Sequence, residues 1–276
     1  MATTPSIEET YNYDPFAKLP LYERINRQLI KVLQIKPGQR ILDLASGTGA
    51  MTKLILEQLR TKEGTSGRVL CLDLSAVALK IARREVADPA VDFVQGTADE
   101  LPVEPRTFHA VVLGNAIHNL DAKEELVQAV RDALEPGGIF AFNTAFYQGT
   151  YCEGTDVFYR KWIDEAVRFI RRTAPDVRRS KEGKPPARDW LTAEGYRELL
   201  ERNGFKVIHL FEHTVKLTRE SLEAIGSYSE FARGGLHGYP VDKACEAMAS
   251  AVSEALKALQ MKVVPRNWLN VVAQKA

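Results

Sequence analysis

With 276 residues, 45% of them hydrophobic, the chain can bury a sizeable core, and its length allows about one large domain or two small ones. Lysine and arginine total 37 against 36 aspartate and glutamate, so the net charge of +1 gives no general reason to expect nucleic acid or a membrane surface as a partner. Cys71, Cys152 and Cys245 lie far apart with no Cys-x-x-Cys pair, which argues against a disulfide framework and a zinc site and for a reducing cytoplasm. The opening residues lack a basic start and an apolar h-region, and no later run approaches a membrane span.

Residues 1–20 are polar with interspersed Tyr11, Tyr13 and Phe16, and Leu21, Ile25, Leu29 and Leu33 give residues 21–34 a helical period. Lys36-Pro37-Gly38 then punctuates before Arg40-Ile-Leu-Asp-Leu-Ala-Ser-Gly-Thr-Gly-Ala50, the stretch around which the rest is organised. Ile41, Leu42 and Leu44 suit a buried parallel strand, and Gly47 and Gly49 allow a tight turn in which backbone approaches a ligand with no side chain between. Met51, Leu54, Ile55 and Leu59 continue as a helix whose free N–H groups point at an anionic group. A dinucleotide fingerprint requires a third glycine three residues after the second; Thr52 stands there, which argues against a nicotinamide-dependent oxidoreductase.

Gly64 to Gly67 read as a turn, and Arg68–Asp73 as a second buried strand ending in an acid. A carboxylate so placed can accept two hydrogen bonds from a ribose diol; it could instead cap the helix that begins near Ser75. Val91–Gln95 and Phe108–Leu113 follow as strands, then a helix through Leu126, Val127, Val130 and Leu134, a turn at Glu135-Pro-Gly-Gly138, and a strand over Ile139–Asn143. Residues 147–190 form an insertion with a helix through Val157, Trp162, Val167 and Ile170. Eight basic residues between Arg168 and Arg188, against Asp176 and Glu182, read as a solvated face, with a clamp for an anionic substrate as the functional alternative. A helix over 192–203 and a long strand over 205–217 precede a second insertion, whose stripe of Met248, Val252, Leu256 and Leu259 is core; residues 267–274 make the last strand. His109, His209 and His213 read as structural, and no metal site is expected.

The loop carrying Asp43, Ala45, Ser46, Gly47 and Gly49 resembles motif I of the class I S-adenosylmethionine (SAM)-dependent methyltransferases of small-molecule type, and is similar to the quinone C-methyltransferase (type 11) branch, which tolerates alanine at position 45. Asp73 with Leu74, Gly96-Thr-Ala-Asp-Glu-Leu-Pro102, Gly114–Asp121 and Leu134-Glu-Pro-Gly-Gly138 extend the resemblance in the right order over residues 37–144. It implies an α/β fold with a doubly wound, seven-stranded, mostly parallel sheet and helical cap insertions. The implied organisation is an N-terminal helical lid (1–36), a SAM-binding core (37–146), a cap (147–190), core continued (191–217), a second cap (218–265) and a final core strand (266–276).

The cofactor implied is SAM, held by Asp43, Ala45, Ser46, Gly47, Gly49, Asp73, Leu74, Thr97, Ala98, Asp99 and Asn115. Asp73 would take the ribose, Leu74 would pack near the adenine, and Thr97 stands where the family commonly has an acid. His118 and His237 are candidate general bases, the alternative for His118 being a histidine that braces its loop. Tyr11, Tyr13, Tyr147, Tyr228, Phe231 and Tyr239 are candidates to line an apolar substrate chamber. The expected reaction moves a methyl group to a small, partly apolar or anionic acceptor by in-line displacement. A protein that binds SAM but catalyses a cyclisation, or only binds, shares every cofactor motif. A small-molecule substrate is the expected partner, without nucleic acid or membrane; a monomer and a homodimer are equally compatible with the sequence.

Overall fold

The computed structural model describes residues 5–97, 107–180 and 190–276. The chain divides into two compact units, one of Met1–Leu19, Tyr151–Ala187 and Thr214–Arg266, the other of Pro20–Thr150, Arg188–His213 and Asn267–Ala276.

The second of these units is built on the predicted strands. β1 (Arg40–Leu44), β4 (Arg68–Asp73), β5 (Val91–Gln95), β6 (Phe108–Gly114), β7 (Leu134–Thr144), β8 (Phe205–Thr218) and β9 (Val263–Lys275) form one seven-stranded sheet in the order β5-β4-β1-β6-β7-β9-β8. β1 runs parallel to both β4 and β6, so Asp43 lies level with Cys71 on one side and Val112 on the other. β9 enters antiparallel beside β7. This is the doubly wound, mostly parallel α/β sheet that the motif order implies.

Alternation along the strands divides the apolar side chains between two clusters, as a sheet covered on both faces requires. Ile41, Val69, Val112 and Ala141 join Leu29 and Ile30 of α3 (Pro20–Leu33) and Met51, Leu54 and Ile55 of α4 (Ala50–Leu59). Leu42, Leu44, Leu113 and Phe142 join Leu126 and Val130 of α6 (Lys123–Ala133) and Tyr196 and Leu200 of α8 (Ala193–Arg202) on the other face. α5 (Ala76–Val86) starts at Ser75, whose side chain accepts the Ala78 N–H.

Two local expectations change. The turn expected between Gly64 and Gly67 is a two-stranded hairpin of β2 (Arg60–Thr61) and β3 (Gly64–Thr65). The turn expected at Glu135–Gly138 lies inside β7, which starts at Leu134 opposite Phe108 and resumes regular pairing at Ile139 opposite Ala110. Gly137, at φ +75, accommodates that irregularity.

The other unit is helical. α1 (Ile7–Thr10) begins with a reciprocal capping box of Ser6 and Glu9, and α2 (Asp14–Ala17) buries Phe16. α7 (Asp156–Thr173), α9 (Arg219–Gly226), α10 (Ser229–Gly235) and α11 (Val241–Ala258) pack together. Trp162 fixes α7 to α11 by donating its indole N–H to the Met248 carbonyl at 2.6 Å. The glycine-rich 227–240 stretch contains α10, whose roughly two turns bury Ala232. Among the described residues no helix is long and apolar enough to cross a membrane.

Candidate active site

The described candidate cofactor residues lie at the ends of β1, β4, β5 and β6. Leaving β1, Ala45 adopts φ +51, Gly47 +55 and Gly49 +86, so three of five consecutive residues are left-handed. Alanine pays a steric cost of about 1–2 kcal/mol there. That cost explains why glycine is common at this position in the resembled family. Ala45→Gly is therefore expected to raise stability by about 0.5–1 kcal/mol, the relieved strain outweighing the greater entropy of the unfolded chain; a fall in the urea midpoint would refute it. Gly49 is required for a second reason. A Cβ there would stand 2.7 Å from Val86 Cγ2 and 3.4 Å from the Ala82 Cβ, so its missing side chain lets the start of α4 lie against α5.

Asp43 is buried below this turn, with 1% of its surface exposed. Thr52 Oγ1 donates to Asp43 Oδ2 at 2.5 Å and lies 3.0 Å from the Cys71 sulfur. The position that excluded the dinucleotide fingerprint thus holds the motif acid by a hydroxyl, a contact that glycine cannot make. Asp43 Oδ1 is buried with no partner among the described residues. Burial pushes the Asp43 carboxyl up to about 7; the Thr52 hydrogen bond opposes this, and the nearby Asp73 charge adds to it. Burial likewise pushes the Cys71 thiol up, aided by the Asp43 charge, so this thiol is no nucleophile.

Asp73, half-buried at the end of β4, accepts the Gly47 N–H on Oδ2 at 2.7 Å and the Ser75 N–H on Oδ1 at 2.8 Å. The helix itself is capped by Ser75, so Asp73 ties the first loop to the second. Leu74 beside it is 67% exposed, an unusual position for leucine, and its carbonyl accepts from Gln95 at 3.0 Å. Ser46 is buried and donates its N–H to the Leu72 carbonyl at 3.1 Å. Thr97 is half-buried in the loop after β5; Ala98 and Asp99 lie outside the described residues.

The loop after β6 is fixed by Asn115, a candidate from sequence, together with Asn143 and Asn26, which sequence reading did not find. Asn115, at φ +50, donates its N–H to Asn143, 3.0 Å from both the carbonyl and the side-chain oxygen. Its own Oδ1 accepts the Ala145 N–H at 2.8 Å. Asn143 in turn donates to Asn26 Oδ1 of α3 at 2.9 Å, and both side chains are fully buried. The signal was available as a polar Asn143-Thr144 pair closing an apolar strand, and as an asparagine on the inward face of α3. His118 follows in a 3₁₀ turn over Ile117–Asn119, 6% exposed, with Nδ1 3.1 Å from Thr144 Oγ1 and its ring 4.2 Å from that of Phe146.

The remaining candidates stand elsewhere. Tyr147 is fully buried in the cluster with Phe142 and Tyr196, its ring against Gly149, and is a packing residue of the sheet face, not a residue of an open chamber. Tyr11, Tyr13, Tyr228, Phe231, Tyr239 and His237 belong to the helical unit. Two of them meet, the Tyr13 and Tyr228 rings lying edge-on at 5.1 Å, and the Tyr11 carbonyl accepts the Ser229 N–H at 2.9 Å. Phe231 packs on Trp162 at 5.5 Å, Tyr239 donates its N–H to the Leu236 carbonyl, and the His237 carbonyl accepts from Arg179 at 2.9 Å. Arg168, Arg171, Arg172, Arg178 and Arg179 are exposed, Arg168 pairing with Glu165, as a solvated face would be; Lys181, Glu182, Lys184 and Arg188 lie outside the described residues.

Of the structural histidines, His109 accepts the Arg40 N–H at 3.1 Å, and half-buried His213 lies 3.1 Å from Asn270. Among the described residues no group of three or more His, Cys, Asp or Glu could hold a metal ion.

Residues 41–138 match the family model described as a methyltransferase domain. The chain is 32% identical over 148 residues to the ubiquinone/menaquinone biosynthesis C-methyltransferase UbiE of Legionella pneumophila, covering 50% of this chain and 58% of that protein. It therefore spans little more than half the length of that relative. Among solved structures, the [4+2]-cyclase SpnF superposes with a TM-score of 0.56 at 18% identity, over 92% of this chain and 81% of that one. The Haemonchus contortus phosphoethanolamine N-methyltransferase 2, in complex with phosphomonomethylethanolamine and S-adenosylhomocysteine, gives 0.54 at 19% identity, over 91% of this chain and 52% of that one. At these identities the two structures share the fold alone.

Proposed function

We propose that this chain, whose residues 41–138 match a methyltransferase-domain family model, is a class I SAM-dependent methyltransferase that transfers a methyl group from SAM to a small aromatic acceptor of the quinol type. The observation that supports the reading best is Asp73, a carboxylate at the end of β4 that accepts the Gly47 and Ser75 N–H groups and so stands between the first two loops. The residues fit the cofactor. Asp43 offers a buried oxygen without a partner, the left-handed turn at Ala45–Gly49 presents bare backbone, and Leu74 offers an exposed apolar surface beside the diol-binding acid. When bound, SAM supplies a methyl group already made electrophilic by its sulfonium charge.

The protein's part is positioning and proton management. Asp73 orients the sugar, Leu74 covers a planar base, and Asn115, locked by Asn143, fixes the loop on which His118 stands. His118 takes the proton from an acidic acceptor O–H. The quinol-type acceptor rests on the similarity to the quinone C-methyltransferase, and the cytoplasm is the proposed compartment.

Parallel calorimetric titrations with SAM, S-adenosylhomocysteine and NAD test the reading. The first two are expected to bind and NAD is not. Asp73→Ala should weaken both by about thirtyfold, roughly 2 kcal/mol, and Asp73→Asn by less because one acceptor oxygen remains. Binding of NAD alone, or indifference to both substitutions, would overturn it; SAM binding without methyl transfer to any quinol would favour a cyclase or a binding protein instead.

A further inference from the structure

The tautomer of a neutral histidine is set by what its neighbours can donate and accept. One neighbour of His118 is Thr144 Oγ1, beside Nδ1 and fully buried at the end of β7. That hydroxyl lies 3.1 Å from His118 Nδ1, 3.0 Å from the Phe146 amide nitrogen and 3.3 Å from the Phe146 carbonyl oxygen. It has one hydrogen and two lone pairs. The amide N–H takes one lone pair. The Phe146 carbonyl can only accept, whereas Nδ1 can donate as well as accept, so both contacts are hydrogen bonds only when the hydroxyl hydrogen goes to Phe146. What remains for Nδ1 is a lone pair, and Nδ1 must bring the hydrogen itself.

We propose that Thr144 is a positioning residue that holds His118 as the Nδ1–H tautomer, so that Nε2 is the nitrogen that accepts a proton from the acceptor. In water the Nε2–H form of histidine is the commoner one, so the assignment is a demand made by the fold. Stacking on Phe146, at 4.2 Å between centroids and 35° between planes, holds the ring against rotation away from Thr144. The inference deepens the methyl-transfer reading and rests on it for the meaning of Nε2, though not for the tautomer. In the step it describes, the acceptor O–H bond breaks and an N–H bond forms at Nε2. The electron pair stays on the acceptor and is shared with the ring carbon that becomes the nucleophile. The imidazolium keeps its Nδ1–H on Thr144, which stabilises the charge through a hydrogen bond already in place.

The test is the long-range ¹H–¹⁵N spectrum of the ¹⁵N-labelled chain in mildly alkaline buffer, the His118 signals being those that vanish in His118→Gln. The expected wild-type pattern is a protonated-type Nδ1 and an unprotonated-type Nε2. Thr144→Ser should keep it, and Thr144→Val should shift it toward the Nε2–H pattern, with S-adenosylhomocysteine affinity changed by no more than about threefold. A wild-type Nε2–H pattern, or a Thr144→Val spectrum identical to wild type, would overturn the inference. Because the spectrum is taken without ligand, a wild type that shows the Nδ1–H pattern yet fails to bind S-adenosylhomocysteine would support the tautomer and remove the methyl-transfer reading. The wild-type and Thr144→Ser spectra decide the matter even if the valine variant does not fold.

Discussion

Gly67→Ala is expected to destabilise the fold by about 3–5 kcal/mol, from backbone strain and overpacking together. Gly67 sits at φ +116, where an L side chain is strained whatever the space, and its Cβ would stand 2.3 Å from the Gln39 carbonyl oxygen and 3.1 Å from Leu59 Cδ2. Backbone cannot move aside as a side-chain tip can. That same Gln39 oxygen accepts the Arg68 N–H at 3.0 Å, the bond that leads β4 into register beside β1. The register then carries Asp73 to the Gly47 N–H, so the damage reaches the site through the sheet. Gly64→Ala is the matched control, because Gly64 has φ +123 and nothing within 4 Å of a Cβ, leaving only the strain of about 1–3 kcal/mol. Urea denaturation of the two variants decides the point: a Gly67→Ala midpoint no lower than that of Gly64→Ala would show that the steric argument is wrong.

The sheet was legible because each of its strands carries a local signal, an apolar run closed by an acid or a glycine, and because the motifs recur in a fixed order. Asp43, Gly47, Gly49 and Asp73 stand out in the sequence for the same reason, and Asp73 accepts the Gly47 N–H in the fold. What escaped was everything fixed by neighbours distant in sequence. Thr52 counted from sequence only as a missing glycine, whereas its hydroxyl holds Asp43 across α4 and β1. Asn26, Asn143 and Asn115 form one chain of amides from three elements, and no spacing along the sequence links residue 26 to residue 143. Tyr147 fits an aromatic lining by composition, yet the chain beyond β7 buries it in the apolar cluster. Glu135-Pro-Gly-Gly138 reads as a turn from its residue types; pairing of Leu134 with Phe108 makes it part of a strand, a tertiary effect that overrides local propensity.

Asp43→Asn is expected to remove a pH dependence of stability that wild type carries between about pH 4 and pH 7. In the native state burial raises the Asp43 carboxyl to about 7, while in the unfolded chain it titrates at its ordinary value near 3.8. Between those limits the folded protein binds one more proton than the unfolded one, so stability falls as pH rises through the window and is level above it. At about 1.4 kcal/mol per pH unit the full loss is on the order of 4 kcal/mol. Asparagine is isosteric, can still accept from Thr52 Oγ1, and carries no charge to desolvate. It has a cost of its own, because its amide NH₂ takes the place of an oxygen or replaces Oδ1, which has no partner among the described residues; leaving that donor unpaired costs about 1–3 kcal/mol at every pH. The difference between the two proteins therefore has a defined shape: the variant is the less stable near pH 4 and gains on wild type steadily up to pH 7. His213, whose pKa burial lowers, makes native stability rise with pH near its ordinary value of 6.5, and does so equally in both proteins, so it cancels in the difference. Urea midpoints measured across pH 4–8 give that difference directly. Parallel curves for wild type and Asp43→Asn would mean that Asp43 is already ionised at acid pH in the folded chain, and that its buried carboxylate is compensated by a partner the Thr52 contact does not supply.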